Sequence, residues 1–512
     1  MAQRLNILYI TADQWRGEAL SARGHPVVRT PHLDALAADG VLFESHYGQC
    51  TPCGPSRASL HTGLYAMTHR SVRNGTPLDA RFTNIALEAR KAGYDPALIG
   101  YTDTSVDPRG LDPDDPRLRQ SYEGVLPGFT PLLLMPTQPV EWVDYLAEKG
   151  YETTATPFDM YGPEDGHVDV GGFGPFDAPA RYRAEDSDTA FSTDRAMRYI
   201  AEREGAGENW FLHLVFLRPH PPYIAPEPYH RMYDPDDVPP FVRHETVEDE
   251  TGRHPFMNYR LDEPMRRVDH LDERDQRKLR ATYYGLISEV DHHIGRLVAF
   301  LKENGLYDNT LIVFTADHGD MLGDHWMVGK ECFFDPAFHV PLVIRAPGPV
   351  WDAARGWRVG AFTESVDIMP TILDLLDVEI PAQCDGYSLA TFLRGKTPPS
   401  WRREVHWEYD FRNVVDDRAE TALGLRFDQC ALAVIRDRHY KYVHFAGLPP
   451  LLFDIQDDPG ELRDLAGDPA HAATVLDYAQ RMLSWRMTHA ERTLTGYKLT
   501  PSGLHSLERY RW

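Results

Sequence analysis

The segment Cys50-Thr-Pro-Cys53-Gly-Pro-Ser-Arg57 combines residue types that can bind and attack an anionic group. Pro55 suits the first turn of a helix, and residues 58–65 can continue that helix. Cys53 would then lie at the helix N-terminus, where free backbone N–H groups and the helix dipole favour anions. Arg57, about one turn later, can hold an oxyanion with its guanidinium group. The pattern predicts a nucleophile beside an anion-binding site.

Cys50 and Cys53 also have the C-x-x-C spacing of two other kinds of site. One is a redox-active disulfide, which is typical of a small domain, and the other is half of a zinc site. The zinc interpretation needs a second pair of ligands with similar spacing, and the sequence has none. A buried structural cysteine is a third interpretation. From these residues alone, the alternatives stay open.

Two acidic pairs, Asp13-Gln14 and Asp317-His318, follow apolar runs that resemble buried parallel strands, Leu5–Ile10 and Leu311–Phe314. In open α/β sheets, ligands bind outside the carboxyl ends of the strands, so the two pairs are expected to meet in one crevice. Three oxygens and one imidazole suit Mn²⁺, Ca²⁺ or Mg²⁺, and the histidine leaves room for Zn²⁺ or Fe²⁺. A capped strand end is the alternative for Asp317-His318. Asp324-His325 lies close by in sequence and is a weaker candidate for a second metal.

Strand and helix patterns alternate along most of the chain. Asn209–Phe216 is another predicted central strand, and Ile287–Leu301 has apolar residues at helical spacing. This alternation predicts an α/β fold with a mostly parallel central sheet flanked by helices. Two Pro-rich stretches, 103–190 and 221–275, are expected to be irregular and to form lids or interface loops.

The pattern changes near residue 385, where short strands replace the alternation. We interpret this region as a smaller α+β subdomain with an antiparallel sheet and a late helix near 471–488. The predicted organisation is a catalytic domain over 1–384, the C-terminal subdomain over 385–490 and a C-terminal arm over 491–512. The arm packs on a neighbouring subunit or is a surface tail. The predicted strands of the subdomain are Glu404–Trp407, Cys430–Ile435, Tyr440–His444 and Leu451–Ile455.

Composition excludes several classes of protein. The chain has 512 residues and a formal net charge of −24, which argues against a nucleic-acid partner. Its five cysteines are too few and too scattered for a disulfide framework. The N-terminal apolar run is too short for a signal peptide, and no stretch approaches the roughly 20 apolar residues of a membrane span. We expect a soluble, cytoplasmic protein with no membrane partner.

Cys53-Gly-Pro-Ser-Arg57 is similar to the C-x-P-x-R signature of type I sulfatases and bacterial phosphonate monoester hydrolases, which belong to the alkaline phosphatase superfamily. The similarity extends along nearly the whole chain and is strongest to the phosphonate monoester hydrolases. It implies an alkaline phosphatase-like fold. The segments that carry it are Thr51–Tyr65, Tyr94–Tyr101, Arg218–Pro222, Tyr442–Phe445 and Ala490–Thr495.

The resemblance also implies a modified residue and a metal ion. In this family, a formylglycine-generating enzyme oxidises the signature cysteine, here Cys53, and the hydrated aldehyde of formylglycine is the nucleophile. Many sulfatases have Asp-Asp and Asp-Asn where this chain has Asp-Gln and Asp-His, a version that resembles phosphonate hydrolases and choline sulfatases. The implied ligands of one divalent ion, Mn²⁺ or Ca²⁺ foremost, are Asp13, Gln14, Asp317, His318 and the modified Cys53.

Further residues acquire expected roles only through the resemblance. Lys330 matches the lysine that contacts the substrate oxyanion and leaving group, and His220 matches the general acid. Seen alone, these would be a solvated lysine and an ordinary loop histidine. Asn74 and Tyr101 match substrate-contact positions. Asp103 departs from the pattern, since sulfatases have histidine there and phosphonate hydrolases threonine; we group it with the substrate-binding residues, where it would act as a base or repel an anion.

The resemblance therefore implies a metal-dependent hydrolase of phosphonate monoesters and phosphate diesters with sulfate monoesterase activity. Its substrate is a small anionic ester, with Cys53, Arg57, Lys330 and His220 as the catalytic residues, and we expect a dimer or tetramer. The alternative activity is an arylsulfatase. A redox or metal-storage protein built on Cys50 and Cys53 is the alternative that is not an enzyme.

Overall fold

A computed structural model describes residues 4–119, 122–163, 178–491 and 493–506. Within these ranges the strands are β1 (Asn6–Ala12), β2 (Val41–Tyr47), β3 (Pro96–Gly100), β4 (Thr130–Leu134), β5 (Phe211–Phe216), β6 (Thr310–Ala316), β7 (Leu342–Arg345), β8 (Trp357–Glu364), β9 (Val405–Asp410), β10 (Ala431–Arg436), β11 (Tyr440–Phe445), β12 (Leu451–Asp454), β13 (Tyr497–Thr500) and β14 (Gly503–Ser506). The α-helices are α1 (Pro31–Ala38), α2 (Cys53–Thr62), α3 (Ala66–His69), α4 (Ile85–Lys91), α5 (Val140–Glu148), α6 (Asp188–Gly205), α7 (Val247–Thr251), α8 (Pro255–Leu261), α9 (Glu273–Glu303), α10 (Asp335–Phe338), α11 (Ile368–Leu375), α12 (Ala390–Leu393), α13 (Arg418–Leu423) and α14 (Ala472–Thr488).

The described residues form two compact units. The first unit takes its residues from Met1–His46, Tyr94–Thr102 and Phe129–Gly360. The second unit takes its residues from Tyr47–Gly93, Asp103–Gly128 and Ala361–Trp512. Both units are therefore assembled from segments far apart in sequence.

An eight-stranded sheet has the order β4-β3-β5-β1-β6-β7-β2-β8. Its centre is parallel, since β1 pairs in parallel with both β5 and β6, and β3 pairs in parallel with β5. β7 is antiparallel to β6. Every residue of β1, β5 and β6 is buried, as expected for strands covered on both faces. The predicted α/β fold with a mostly parallel sheet is confirmed.

Helices α1 and α6 pack on strands of the sheet in the first unit, and helix α9 packs against both of these helices. Helix α9 has 31 residues and begins well before the predicted segment Ile287–Leu301. It begins there because the side chain of Asp272 accepts a hydrogen bond from the N–H of Asp275, which caps the first turn. Strand β4 and helix α5 lie in the stretch 103–190, so the expectation that this stretch is wholly irregular is wrong.

A four-stranded antiparallel sheet, in the order β12-β11-β10-β9, lies in the second unit. Helix α14 packs on β10 and β11 of this sheet, and its residues Tyr478, Met482 and Trp485 belong to one buried cluster with Ile435 and Leu452. These elements match the predicted C-terminal strands and helix. Strands β13 and β14 form a hairpin within the segment predicted as an arm, whose last residues, 507–512, lie outside the described ranges. Among the described residues, no helix combines the length and apolar character needed to cross a membrane.

Candidate active site

Four neighbouring parallel strands of the first unit deliver polar side chains to one edge of the sheet. Strand β1 ends one residue before Asp13, β6 one residue before Asp317, and β3 one residue before Tyr101. Strand β5 leads into the loop that carries His220. Because these strands run in the same direction, their carboxyl ends lie side by side. The topology therefore gathers the candidate residues of this unit.

Asp13, Asp317 and His318 form a compact group of potential metal ligands. One ligand atom from each lies within 4.8 Å of the others. His318 Nε2 is 3.7 Å from Asp13 Oδ1 and 3.6 Å from Asp317 Oδ2. All three side chains are almost completely buried. The expected proximity of the two aspartates, which are 304 positions apart in sequence, is found.

The state of His318 suits a metal ligand. Its Nδ1 lies 3.1 Å from the carbonyl oxygen of Gly319, so Nδ1–H can donate there and leave the Nε2 lone pair directed towards the carboxylates. Burial lowers the pKa of His318 to about 4, so the ring is neutral at pH 7. Two carboxylates and one neutral imidazole nitrogen, too far apart for strong hydrogen bonds, fit a divalent cation between them.

Gln14 is held in a left-handed backbone conformation with φ of 69°. Its N–H donates to Asp317 Oδ1 over 3.1 Å, and its carbonyl oxygen accepts from the hydroxyl of Tyr283 over 2.7 Å. The side-chain oxygen Oε1 accepts from Lys330 Nζ over 2.7 Å. A non-glycine residue at positive φ stores strain that its surroundings must offset, which is common at functional sites. Gln14 is therefore fixed next to both Asp317 and Lys330.

Asp320 is a buried residue of this site that the sequence analysis missed. Its Oδ2 accepts from Gln14 Nε2 and, over 2.5 Å, from the hydroxyl of Tyr223. Its Oδ1 accepts from the N–H groups of Leu322 and Gly329 over 2.9 and 2.8 Å. Because the side-chain nitrogen of Gln14 donates to Asp320, the side-chain oxygen Oε1 points away from Asp320 and towards Lys330. The available signal was its place in Asp317-His-Gly-Asp320, directly after two candidate ligands.

His220 and Tyr101 also belong to the first unit. His220 Nδ1 lies 2.7 Å from the carbonyl oxygen of Pro221, so the neutral ring carries its proton on Nδ1 and donates it to that oxygen. Burial and the charge of Lys330 lower the pKa of His220, which leaves Nε2 as an acceptor in the resting protein. The hydroxyl of Tyr101 donates to Asp13 Oδ2 over 2.8 Å, so this predicted substrate contact also orients a candidate metal ligand.

Asp324 and His325 have other partners. Asp324 accepts hydrogen bonds from Arg16 over 2.9 Å and from Arg280 over 2.8 Å. His325 Nδ1 lies 2.9 Å from Glu250. Neither residue belongs to the group of potential ligands found among the described residues. The ion pairs give them a structural role.

In the second unit, Cys53 is the first residue of helix α2, and the predicted helix is confirmed. Every residue of this helix is buried, and its last residue, Thr62, is followed by Gly63 with a φ of 69°. The N–H of Gly54 donates to the side-chain oxygen of Asn74 over 2.8 Å. The expected row of free N–H groups is thus partly occupied, because Asn74 takes one and Pro55 has none. The position of Cys53 at the start of the helix remains favourable for a negative charge.

Arg57 and Asp103 form a buried ion pair in the second unit. Arg57 Nε lies 3.4 Å from Asp103 Oδ2, and the two side chains are 1% and 3% exposed. Asp103 has a φ of 49°, which Asp and Asn tolerate better than most residues. The residue that departs from the family pattern therefore contacts the arginine of the signature.

All five cysteines lie within the described residues, are buried and form no disulfide bond there. Burial raises the pKa of Cys50 to about 12, and its Sγ lies 3.5 Å from the hydroxyl of Ser59. A redox-active pair needs an accessible thiolate, whereas Cys50 stays protonated and enclosed. These observations favour a structural Cys50 and oppose the redox interpretation of Cys50 and Cys53.

Comparison with known proteins places this chain in a family. The sequence profile described as sulfatase matches residues 5–378, and that of the C-terminal part of N-sulphoglucosamine sulphohydrolase matches residues 323–488. The chain is 45% identical to the multifunctional alkaline phosphatase superfamily protein PehA of Trinickia caryophylli, over 98% of this chain and 99% of that one. The phosphonate monoester hydrolase of Agrobacterium radiobacter has a similar structure, with a TM-score of 0.94, 45% identity, and coverage of 99% and 100%. An arylsulfatase of Clostridium perfringens is 27% identical, over 96% and 97%.

The chain therefore belongs to the sulfatase family, within the alkaline phosphatase superfamily, and is an ester hydrolase. The family and fold that the signature around Cys53 implied are confirmed.

Replacing Asp320 tests whether it positions Gln14 for a cation. In Asp320→Asn, the remaining oxygen should stay with the backbone N–H groups of Leu322 and Gly329, which can only donate. The NH₂ group would then face the side-chain nitrogen of Gln14, which is also a donor. Gln14 would lose its fixed orientation, and we expect Mn²⁺ affinity to fall about 10–100-fold. Isothermal titration of the metal-stripped protein measures this without substrate. Asp308→Asn, at a carboxylate that is 96% exposed in the same unit, is the matched control and should bind like the parent. Equal affinities in all three proteins would refute the positioning role.

Proposed function

We propose that this protein hydrolyses phosphonate monoesters and phosphate diesters, with sulfate monoesters as slower substrates, by means of a formylglycine made from Cys53 and one divalent cation. The observation that carries the proposal is the convergence of two buried carboxylates and a neutral imidazole at one sheet edge. The 45% identity to a phosphonate monoester hydrolase, over almost the full chain, supports the choice of substrate.

Asp13, Gln14, Asp317, His318 and the modified Cys53 would hold the cation. When bound, the cation supplies Lewis-acid stabilisation of negative oxygens and lowers the pKa of a coordinated hydroxyl group. The oxygen-rich ligand set favours Mn²⁺ or Ca²⁺, with Mg²⁺, Zn²⁺ or Fe²⁺ as further candidates. Oε1 of Gln14 accepts a hydrogen bond from Lys330. To bind the cation as well, this oxygen would use its second lone pair or turn away from Lys330.

The oxidation of Cys53 gives the protein a nucleophile with its own route for release. A hydrated aldehyde has two hydroxyl groups, of which one attacks phosphorus or sulfur and the other expels the product as the aldehyde re-forms. An unmodified thiol lacks the second hydroxyl. Cys53 is buried at the first turn of α2, where the helix dipole favours the developing negative charge.

The remaining polar residues act on the substrate. Lys330 and Arg57 would stabilise the non-bridging oxygens as charge accumulates on them. His220 would protonate the leaving oxygen. The resting ring carries its proton on Nδ1, so His220 must first gain a second proton, and the negative charge of a bound substrate favours this by raising its pKa. Asn74 and Tyr101 would orient the substrate and the ligand shell.

An arylsulfatase is the second candidate function. The sulfatase profile and the 27% identity to an arylsulfatase favour it. Sulfate monoesters and phosphonate monoesters both carry one negative charge on a tetrahedral centre, so the same polar residues serve either. The Asp-Gln and Asp-His pairs favour the phosphonate hydrolases over most sulfatases.

Maturation and assembly complete the proposal. A formylglycine-generating enzyme would act on Cys53 before the chain folds, because the cysteine is buried afterwards. We also propose a cytoplasmic homo-oligomer, a dimer or tetramer, to which the segment 491–512 contributes. The hairpin of β13 and β14 supports this, since an isolated two-stranded hairpin is marginally stable in water.

A comparison of substrates tests the main activity. We expect kcat/KM to be higher for an aryl phosphonate monoester and an aryl phosphate diester than for the sulfate monoester of the same phenol. Steady-state assays with p-nitrophenyl esters, at one pH and with Mn²⁺ present, make the comparison direct. A large preference for the sulfate ester would instead establish the arylsulfatase.

The modification of Cys53 is tested by peptide mass spectrometry. Conversion of cysteine to formylglycine lowers the mass of the peptide by about 18 Da, because one sulfur and two hydrogen atoms are lost and one oxygen atom is gained. We expect active protein to contain this peptide and Cys53→Ala to lose turnover of every ester class. Cys50→Ala, at a second buried cysteine of the same segment, is the control and should keep the modification and activity. Full activity with an unmodified Cys53 thiol would exclude the mechanism.

Asp103 should set the charge that the site accepts. Its carboxylate balances the Arg57 guanidinium, which leaves less attraction for a second negative charge on the substrate. In Asp103→Asn the carboxylate charge is gone and the left-handed backbone is tolerated. A unit charge at about 4 Å is worth up to roughly 4 kcal/mol at an effective dielectric constant of 20, so a change of about tenfold or more is expected.

The measured quantity is kcat/KM for p-nitrophenyl phosphate, a dianion, divided by that for the monoanionic phosphonate ester. This ratio should rise in Asp103→Asn. Asp410→Asn, whose carboxylate pairs with Arg70 over 3.0 Å in the same unit, should leave the ratio unchanged. A ratio that stays constant in Asp103→Asn, or rises equally in both variants, would rule out charge selection by Asp103.

A further inference from the structure

A cavity of about 600 Å³ lies within the second unit, between residues 75–87 on one side and residues 104–118 and 122–127 on the other. Most of its lining is apolar. Val106, Leu111, Tyr122 and Val125 are only partly buried, although such side chains normally lie in a core. Concave apolar surfaces of this size are typical of ligand sites. The principal lining residues are Leu78, Phe82, Val106, Leu111, Tyr122 and Val125.

Backbone contacts hold the walls of this cavity in place. The N–H of Leu78 donates to the carbonyl oxygen of Ser105 over 3.1 Å, and the N–H of Thr104 donates to that of Gly124 over 3.0 Å. A Cβ atom on Gly124 would lie 2.3 Å from the carbonyl oxygen of Thr104, so only glycine permits this approach. The cavity is therefore formed by the fold before any ligand binds.

The charged groups at the rim neutralise one another. Arg109 pairs with Asp107 and, over 2.7 Å, with Asp79. Arg117 pairs with Asp115 over 2.6 Å. Because each of these arginines already contacts a carboxylate, the rim has little attraction for an anion. The chemistry of the cavity instead suits an uncharged, apolar or aromatic group.

The cavity begins next to the first turn of helix α2. Its lining residues Gly75 and Thr104 directly follow Asn74 and Asp103 in the chain. Both of these neighbours pack on Gly54: the Gly54 N–H donates to Asn74, and a Cβ atom on Gly54 would lie 3.1 Å from the carbonyl oxygen of Asp103. The cavity wall therefore begins beside Gly54, the residue that follows Cys53.

We propose that this cavity binds the apolar substituent that the substrate keeps on phosphorus, a proposal that rests on the proposed function. In an in-line displacement the leaving oxygen departs opposite the nucleophile, so a group retained on phosphorus lies to the side. Two lining residues, Gly75 and Thr104, directly follow the residues that pack on Gly54 in the first turn of α2. The retained group is the carbon substituent of a phosphonate or the second ester group of a diester. Sulfate monoesters have only oxygens at these positions and cannot use the cavity.

Matched esters with one leaving group test this assignment. The p-nitrophenyl monoesters of phenylphosphonate and methylphosphonate differ only in the retained group. We expect the parent protein to prefer the phenyl compound by at least about tenfold in kcat/KM, since one methylene in an apolar pocket can already be worth that much. Leu111→Trp and Val125→Trp should fill the cavity and bring this ratio close to one. Turnover of p-nitrophenyl sulfate should not change in either variant.

Val414→Trp is the matched control, because Val414 is 87% exposed in the same unit and does not line the cavity. It should keep the parent ratio. Competitive inhibition of the parent by phenylphosphonic and methylphosphonic acids gives a second measurement that needs no variant, and the phenyl compound should bind at least about tenfold more tightly.

The outcomes separate this inference from the proposed function. A parent protein that hydrolyses both phosphonate esters but ignores the size of the retained group would overturn the cavity assignment and leave the proposed function intact. So would equal losses for phosphonate and sulfate esters in the cavity variants, or a loss that follows the size of the leaving group. Absence of any phosphonate or diester turnover in metal-loaded, formylglycine-containing parent protein would overturn the proposed function itself, and this inference with it.

Discussion

Two carboxylates, Asp13 and Asp317, are buried side by side in the first unit, where His318 lies close to both. The residues around them supply hydrogen-bond donors that compensate for the buried negative charge. Burial of like charges is unfavourable unless donors or a cation compensate for it. Backbone N–H groups of Gln14 and His318 donate to Asp317, and the hydroxyl of Tyr101 donates to Asp13. These hydrogen bonds fix the carboxylates and leave the His318 ring directed towards both of them.

The parallel sheet makes this arrangement possible. Strands β1 and β6 pair directly, with Ala12 opposite Ala316, so the residues that follow them start from adjacent positions. A shift of the register by one residue would move one aspartate away from the other and reverse the face on which its strand's side chains lie. Fully buried strands on both sides of β1 hold this register. The positions of Asp13 and Asp317 are thus set by the packing of apolar strand residues that are not themselves part of the candidate site.

The sequence predicted the elements better than it predicted the contacts between side chains. Apolar runs located β1, β5 and β6, and the helix signals around Pro55 located α2, because periodicity and turn chemistry are local properties. Asp320 was missed because its partners, Gln14 and Tyr223, are 306 and 97 positions away. The pairing of Asp103 with Arg57 was likewise not evident. The unusual residue at position 103 could be recognised from sequence, but the group that it contacts could not.

The second unit contains two features that would select substrates by different properties. The pair of Arg57 and Asp103 would act on charge, since a guanidinium already paired with a carboxylate gains less from a second negative charge. The apolar cavity would act on size and polarity, and its rim arginines, which are paired with carboxylates, do not oppose the first effect. A monoanion with an apolar substituent satisfies both features, whereas a phosphate monoester fails the first and a sulfate monoester gains nothing from the second. Since residues 103–109 contribute to both, we expect substitutions in this one segment to change the preferred ester without altering the residues proposed to hold the cation.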